Sequence, residues 1–296
     1  MKAALILPAR DEAECISQVV EEARRYFDGE IIVVDNGSSD ATAEVAAAAG
    51  ARVVREPEPG YGRTCMAGVA AAPDCDAFVF MDADGSDCPE DIPALMKAID
   101  CGADLALGVR KGARVAKGSL APAARFGNWL SGTLIGLWSG RRLHDLSPLK
   151  AVTAEALRKT NPREQTYGWT VELLAVAASQ KLNIVEVETG YRHRIGGRSK
   201  VSGTVSGSFK AGYRILLVLG RVAMKQIQPR TVGAMLGAVA GFGAIVAYSI
   251  WLLTQGPASR DVLVSSWLLA WPVVLVGTLL GTAAGGALGG FRKSSG

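Results

Sequence analysis

The sequence lacks the patterns that mark several classes of site. Its five cysteines include no Cys-x-x-Cys pair, which argues against a zinc site or a disulfide framework and favours reduced thiols. Neither a Gly-x-Gly-x-x-Gly fingerprint nor a phosphate-loop motif follows a predicted strand, so we expect no redox dinucleotide. The first residues lack the long apolar run of a secretory signal. The formal net charge is only +4, which favours anionic lipid over nucleic acid as the partner of the basic residues.

Charged residues are missing from two long stretches near the end of the chain. Residues 231–259 and 262–291 contain no Asp, Glu, Lys or Arg, and only Arg260 and Asp261 separate them. Each stretch exceeds the roughly 20 apolar residues that cross a hydrocarbon core of about 30 Å. We therefore predict a transmembrane helical hairpin with a short cytoplasmic tail over 231–296. A buried helical pair in a soluble domain is the alternative.

The segment 206–230, before this hairpin, is predicted to form an amphipathic helix. Its cations share a sector of roughly 60° at about 100° per residue; they are Lys210, Arg214, Arg221 and Lys225. Leu219 and Val222 lie on the opposite side. We predict a basic interfacial helix whose apolar face enters the acyl boundary, with a surface helix packed on the soluble domain as the alternative. Because flanking Lys and Arg stay on the cytoplasmic side, the catalytic part should lie in the cytosol, at the cytoplasmic membrane.

Short apolar runs alternate with helical stretches in the first part of the chain. The strand candidates up to about residue 110 have the sequences AALIL, EIIVVD, ARVVRE, AFVFMD and DLALGV. This alternation predicts a Rossmann-like α/β domain over 1–205, with a mostly parallel sheet covered by helices on both faces. Ligands of such sheets bind beyond the carboxyl ends of the strands, which draws attention to 10–12, 35–39 and 82–87.

Two aspartates follow the fourth strand candidate, in the sequence MDADG. Asp82 and Asp84, two positions apart on a turn, can hold a hard divalent cation such as Mg²⁺ or Mn²⁺ and leave positions open for substrate phosphates. Such a cation would neutralise the charge that develops on a leaving diphosphate. A solvated acidic turn is the alternative, because the pattern alone is common.

A second acidic motif, VDNGSSDAT, follows the second strand candidate. Asp35 could accept hydrogen bonds from a base or a ribose, as carboxylates after parallel strands do in nucleotide sites. Asp40 is more typical of a helix cap. The Gly60-Tyr61-Gly62 sequence after the third strand candidate is interpreted as a plain turn.

Together these motifs resemble the family 2 glycosyltransferases of GT-A fold, through about residue 204. The sequence PARDE stands where that family has a Pro-x-x-Asn/Asp-Glu opening, and VDNGSSDAT and MDADG follow in the family's order and spacing. Further along, LGVRKG, HDLSPLKA and EVETGYRHRIGGRSKVSGT look like the branch of dolichyl-phosphate mannose synthase and bacterial polyprenyl-phosphate glycosyltransferases. Members of that branch commonly carry C-terminal membrane helices.

The resemblance implies a role for each matching residue. Asp84, Asp145 and Arg110 would act at the diphosphate and the donor sugar, and Asp82 and Asp84 would bind the metal. The residues implied to bind substrate are Pro8, Arg10, Glu12, Asp35, Asp82, Arg125, Arg198 and Lys200. Among these, Arg125 would meet the acceptor phosphate, and the last two would belong to a mobile basic loop. Glu172 lies where many relatives place a catalytic base, but it could equally anchor a helix.

We expect an inverting transfer of a sugar from a UDP- or GDP-linked donor to a polyprenyl phosphate at the cytoplasmic membrane face. An acceptor phosphate is already anionic near neutral pH, so a dedicated base is not needed. The alternatives are transfer to another lipid hydroxyl, a non-catalytic glycolipid carrier or flippase subunit, and a non-catalytic nucleotide-sugar sensor. Glycines four positions apart from Gly277 to Gly289 would suit a homo-oligomer or close packing within the hairpin.

Overall fold

The structure is a computed structural model that describes residues 1–196, 215 and 217–223. Its contacts group Met1–Val222 into one compact unit. The predicted hairpin at 231–296, most of the predicted interfacial helix at 206–230, and both Arg198 and Lys200 lie outside the described residues. Within the described part of the chain, no helix is both long and apolar enough to cross a membrane.

A seven-stranded sheet lies at the centre of the described residues. Its strands are β1 Ala3–Ala9, β2 Glu30–Asp35, β3 Arg52–Arg55, β4 Ala77–Phe80, β5 Leu105–Val115, β6 Lys150–Thr153 and β7 Ile184–Tyr191. The order across the sheet is β3-β2-β1-β4-β6-β5-β7. Only β6 runs antiparallel to its neighbours β4 and β5 among these pairs. The predicted α/β class with a mostly parallel sheet is confirmed.

Helices cover both faces of the sheet. They are α1 Ile16–Arg24, α2 Thr42–Ala48, α3 Tyr61–Ala71, α4 Ile92–Asp100, α5 Pro122–Ser139, α6 Ala154–Thr160 and α7 Gly168–Ser179, with a 3-10 turn at Pro89–Asp91. Successive strand residues point to opposite faces, so Leu5 and Ile6 of β1 belong to two separate buried clusters. One cluster takes in Ile16 of α1 and Ile92 of α4, and the other takes in Trp169 of α7.

The described residues near the end of this unit are helical and pack on the face that carries α7. Val218, Leu219 and Val222 are buried in the same cluster as Trp169. Leu219 and Val222, which the sequence predicts to enter the acyl boundary, are instead buried against the domain. For these residues the alternative interpretation, a helix packed on the soluble domain, describes the structure. An interfacial role for the rest of 206–230 stays a prediction.

Candidate active site

A pocket of about 690 Å³ opens where β1 and β4 end. That volume falls within the range of roughly 300–1,000 Å³ that is typical of small-molecule sites. It collects predicted site residues from two separate motifs, namely Pro8, Arg10, Glu12, Asp82 and Asp84. Residues that the sequence interpretation did not single out complete it, among them Asn36, Tyr61, Thr64, Tyr167, Tyr191 and Arg194.

The turn after β4 holds the two candidate metal ligands through its own hydrogen bonds. Ser86 donates from its backbone N–H and its hydroxyl to Asp84 Oδ1, at 2.9 and 2.5 Å. The N–H of Asp82 donates to Asp87 Oδ2 at 3.0 Å. The buried Asp87, which lies in the range 82–87 but was assigned no role from the sequence, therefore helps to hold this turn.

Two carboxylates of this turn, Asp82 and Asp87, have raised pKa values. Burial raises the pKa of Asp82 to about 8, and repulsion from Asp87 and Asp84 adds to the increase. Burial likewise raises the pKa of Asp87 to about 6, and its Oδ1 is buried without a hydrogen-bond partner. Lys150, fully buried on β6, has its pKa lowered to about 8 by the same loss of solvent. A divalent cation bound at the turn would favour the ionised carboxylates.

The donor set fits Mg²⁺ or Mn²⁺, because both prefer hard oxygen ligands. Across the described residues, however, no group of three or more Asp, Glu, His or Cys side chains is arranged to hold a metal ion. A cation held by Asp82 and Asp84 would therefore complete its coordination with water or substrate phosphates, as Mg²⁺ usually does.

Arg194 brings a cation to the metal turn from far along the chain. Its guanidinium forms ion pairs with Glu12 and, at 3.6 Å, with Asp84. The N–H of Ile195 also donates to the carbonyl oxygen of Asp84 at 3.0 Å, and that of Arg192 to the carbonyl oxygen of Ser86 at 2.7 Å. No local sequence pattern signals this contact, since it arises from the packing of the segment after β7 against the turn.

Arg110 and Asp145 form a second buried cluster. Arg110 Nε and Nη2 donate to the two oxygens of Asp145 at 2.8 and 2.7 Å, and Asn128 of α5 donates to Oδ1 at 2.6 Å. The guanidinium lies 4.9 Å from the ring centre of Tyr191, which lines the pocket. Arg110 and Asp145 themselves do not line it. The structure pairs the two residues and places them behind Tyr191, with the oxygens of Asp145 already engaged. Their predicted roles at the donor sugar and diphosphate stay predictions.

Three other predicted residues lie apart from this pocket. Asp35 lines a smaller pocket of about 230 Å³, and its Oδ1 accepts from the N–H of Ser38 at 3.1 Å. Arg125 is exposed on α5. Glu172 Oε2 accepts from the backbone N–H groups of residues 163 and 164, at 2.7 and 2.6 Å. Glu172 thus holds the loop before α7, and its role as a catalytic base or a helix anchor stays a prediction.

The profile of the family described as Glycosyl transferase family 2 matches residues 4–156. The chain belongs to glycosyl transferase family 2. An uncharacterized glycosyltransferase of Mycobacterium tuberculosis is 37% identical over 214 residues, which cover 70% of this chain and 93% of that protein. The dolichyl-phosphate hexose transferase of Haloferax volcanii is 33% identical over 198 residues, which cover 65% of this chain and 84% of that protein.

Solved structures agree with this assignment. Glucosyl-3-phosphoglycerate synthase from Mycobacterium tuberculosis, in complex with Mn²⁺, UDP and glucosyl-3-phosphoglycerate, superposes with a TM-score of 0.59 at 26% identity. The match covers 75% of this chain and 79% of that one, and another complex of the same synthase holds Mg²⁺ and UDP. The GT-A fold and the enzyme class predicted for this family 2 glycosyltransferase are confirmed.

Proposed function

We propose that this family 2 glycosyltransferase moves a sugar from a nucleotide diphosphate sugar to a polyprenyl phosphate, with Mg²⁺ or Mn²⁺ at Asp82 and Asp84. The observation that carries the proposal is that Asp82 and Asp84, on the turn after β4, both line a pocket beyond the strand ends. When bound, the cation would neutralise the leaving diphosphate.

The residues around the turn suit a diphosphate. Arg10 and Arg194 line the same pocket as Asp82 and Asp84. Guanidinium groups bind phosphate oxygens through charge-assisted hydrogen bonds. Arg194 forms ion pairs with Glu12 and Asp84. A diphosphate at the metal would compete with these two carboxylates for the N–H groups of Arg194. A related synthase binds UDP with Mn²⁺ or Mg²⁺, which supports the same class of donor here.

A lipid acceptor is supported by the exposed face of α5. Phe126, Trp129 and Leu137 are 60, 51 and 77% exposed, although large apolar side chains are usually covered. Arg125 is exposed beside them and would meet a phosphate headgroup. One relative is a dolichyl-phosphate hexose transferase. The proposal includes catalysis at the cytoplasmic face of a membrane. The C-terminal segments would attach the domain to that membrane.

The chemistry needs little from a general base. An ionised acceptor phosphate can attack the anomeric carbon directly and invert its configuration, so alignment and charge neutralisation supply the rate enhancement. The engagement of Glu172 by two backbone N–H groups agrees with this. Transfer to a lipid hydroxyl is the second candidate, and it would require a base.

Turnover assays on the full chain in detergent test the proposal. Radiolabelled UDP-glucose, UDP-N-acetylglucosamine and GDP-mannose would be offered with Mn²⁺ and with undecaprenyl phosphate, diacylglycerol or 3-phosphoglycerate as acceptor. We expect label in the undecaprenyl phosphate product only, and its loss with EDTA. Transfer to diacylglycerol or phosphoglycerate alone would contradict the acceptor class.

A further inference from the structure

One wall of the pocket is made of two stacked tyrosines. The ring centres of Tyr61 and Tyr167 are 6.4 Å apart, with 25° between the ring planes, and both residues line the pocket. The Tyr61 hydroxyl lies 3.4 Å from Asp82 Oδ1, whereas Tyr167 is 48% exposed. An exposed ring is thus held beside the candidate metal turn, where it offers a flat apolar surface.

The position of this wall is set by a close contact between two loops. A Cβ at Gly60 would collide with the carbonyl oxygen of Gln165, and a Cβ at Gly62 with that of Glu164. Arg63 donates from its backbone N–H to the Gln165 carbonyl at 3.1 Å and from its guanidinium to Oε1 at 2.6 Å. The Gly-Tyr-Gly turn, interpreted from the sequence as a plain turn, therefore lets the start of α3 press against the segment before α7.

The two loops that carry the tyrosines add only uncharged residues to the pocket. Those residues are Pro59, Gly60, Thr64 and Thr166. The charged lining residues come instead from the ends of β1 and β4 and from the segment after β7. The charged side chains of these two loops, such as Arg63 and Glu164, do not line the pocket.

We propose that Tyr167 is the surface on which the transferred sugar packs, and that this sugar is an uncharged pyranose. The inference rests on the proposed function, because that function puts a diphosphate at Asp82 and Asp84, in the same pocket as the Tyr61–Tyr167 wall. The C–H groups on one face of a pyranose carry partial positive charge and pack on the negative face of an aromatic ring. Tyr167 then contributes to sugar affinity and selects against charged sugars.

Equilibrium binding to the full chain in detergent with Mn²⁺ tests this. The quantity measured is the affinity for UDP-glucose divided by that for UDP, and likewise for GDP-mannose and GDP. Tyr167→Ala should lower the larger of these two affinity ratios about threefold to tenfold, which corresponds to the loss of one aromatic contact. The affinity for UDP or GDP alone should not change. Tyr167→Phe keeps the ring and should keep the ratio. Tyr26→Ala, at a tyrosine that is 45% exposed outside the pocket, is the matched control.

Several results would overturn the inference. An unchanged ratio in Tyr167→Ala would do so, and so would equal weakening of UDP and UDP-glucose, which would assign the ring to the nucleotide. Tighter binding of UDP-glucuronate than of UDP-glucose would refute the uncharged class. If the wild-type chain bound none of these nucleotides, the proposed function itself would fail, and the inference with it. Equal melting temperatures of the variants would show that the fold is intact.

Discussion

Asp82 is partly buried and lines the pocket, whereas Asp145 is buried behind it, and the surroundings of the two carboxylates are opposite. Each oxygen of Asp145 accepts from the Arg110 guanidinium, and Asn128 and the N–H of Leu146 add further donors. Asp82 instead has the carboxylates of Asp87 and Asp84 as neighbours, and its pKa rises to about 8 through burial and repulsion.

The difference suggests a structural role for Asp145 and a ligand-binding role for Asp82. A buried carboxylate that is hydrogen-bonded to a fixed cation holds its surroundings in place, and removing one partner of the pair is strongly destabilising. A pocket-lining carboxylate with a strongly raised pKa is instead a candidate for binding a charged ligand. The contrast therefore predicts loss of turnover for changes at the turn and loss of stability for changes at Asp145.

The largest effect is expected at the turn. Asp84→Ala should lower metal-dependent turnover roughly a thousandfold or more, because it removes one of few hard ligands from the cation. Initial rates at saturating Mn²⁺ measure this, with Asp74→Ala at an exposed carboxylate as the control. A drop of less than about tenfold would show that the turn is merely solvated.

The cluster behind Tyr191 should respond in stability. Asp145→Ala leaves the Arg110 guanidinium buried without its partner, which should lower the free energy of unfolding by about 3–5 kcal/mol. Urea unfolding followed by tryptophan fluorescence measures the loss. The double variant Asp145→Leu with Arg110→Met should recover much of it, since no unpaired charge remains. If Asp145→Ala lowered the free energy of unfolding by less than about 1 kcal/mol, the structural role assigned to Asp145 would be wrong.

The raised pKa of Asp82 should make the stability of the metal-free protein depend on pH. A raised pKa means that the folded, metal-free protein favours protonated Asp82, whereas an unfolded Asp titrates near about 3.9. The free energy of unfolding without metal should therefore fall as the pH rises from about 4 to about 8. Because a ligating carboxylate must be ionised, Mn²⁺ affinity should rise over the upper part of that range.

Thermal melting with EDTA and with Mn²⁺ at each pH checks both trends, and Asp82→Asn is the matched control. The variant should lose the part of the pH slope that Asp82 contributes. Identical slopes in the wild type and the variant would mean that Asp82 does not titrate in this window.

The smallest effect is expected at Glu172. Glu172→Gln keeps an oxygen acceptor but replaces two charge-assisted hydrogen bonds with neutral ones, which should cost about 1 kcal/mol of stability. Turnover should stay within about threefold of the wild type, since an ionised acceptor phosphate needs no base. Loss of turnover with unchanged donor affinity would instead favour a hydroxyl acceptor.

Local patterns were sufficient for the first five strands and for the position of the acidic turn after β4. Apolar runs define the strands, and the rule that ligands bind beyond strand ends picks out Asp82 and Asp84. Contacts between distant segments were not predictable in this way. Arg194 reaches Asp84 only because the segment after β7 packs on the turn, and Tyr61 meets Tyr167 only because two glycines allow two loops to touch.

The amphipathic pattern shows a related limit. Periodicity identifies an apolar face but not what covers it. Leu219 and Val222 were predicted to face lipid, yet they are covered by the domain. Conversely, Phe126 and Trp129 were not singled out, and they remain exposed on α5.

The antiparallel direction of β6 has a consequence for how this enzyme could be remodelled. Since Lys150 at its start pairs with Phe80 at the end of β4, the chain between β5 and β6 both leaves and rejoins the sheet at the edge that holds the pocket. That segment, which carries α5 and Asp145, therefore forms one continuous insertion that is joined to the sheet at this end alone. Swapping it between relatives should alter acceptor choice while β1, β2 and β4 keep their register.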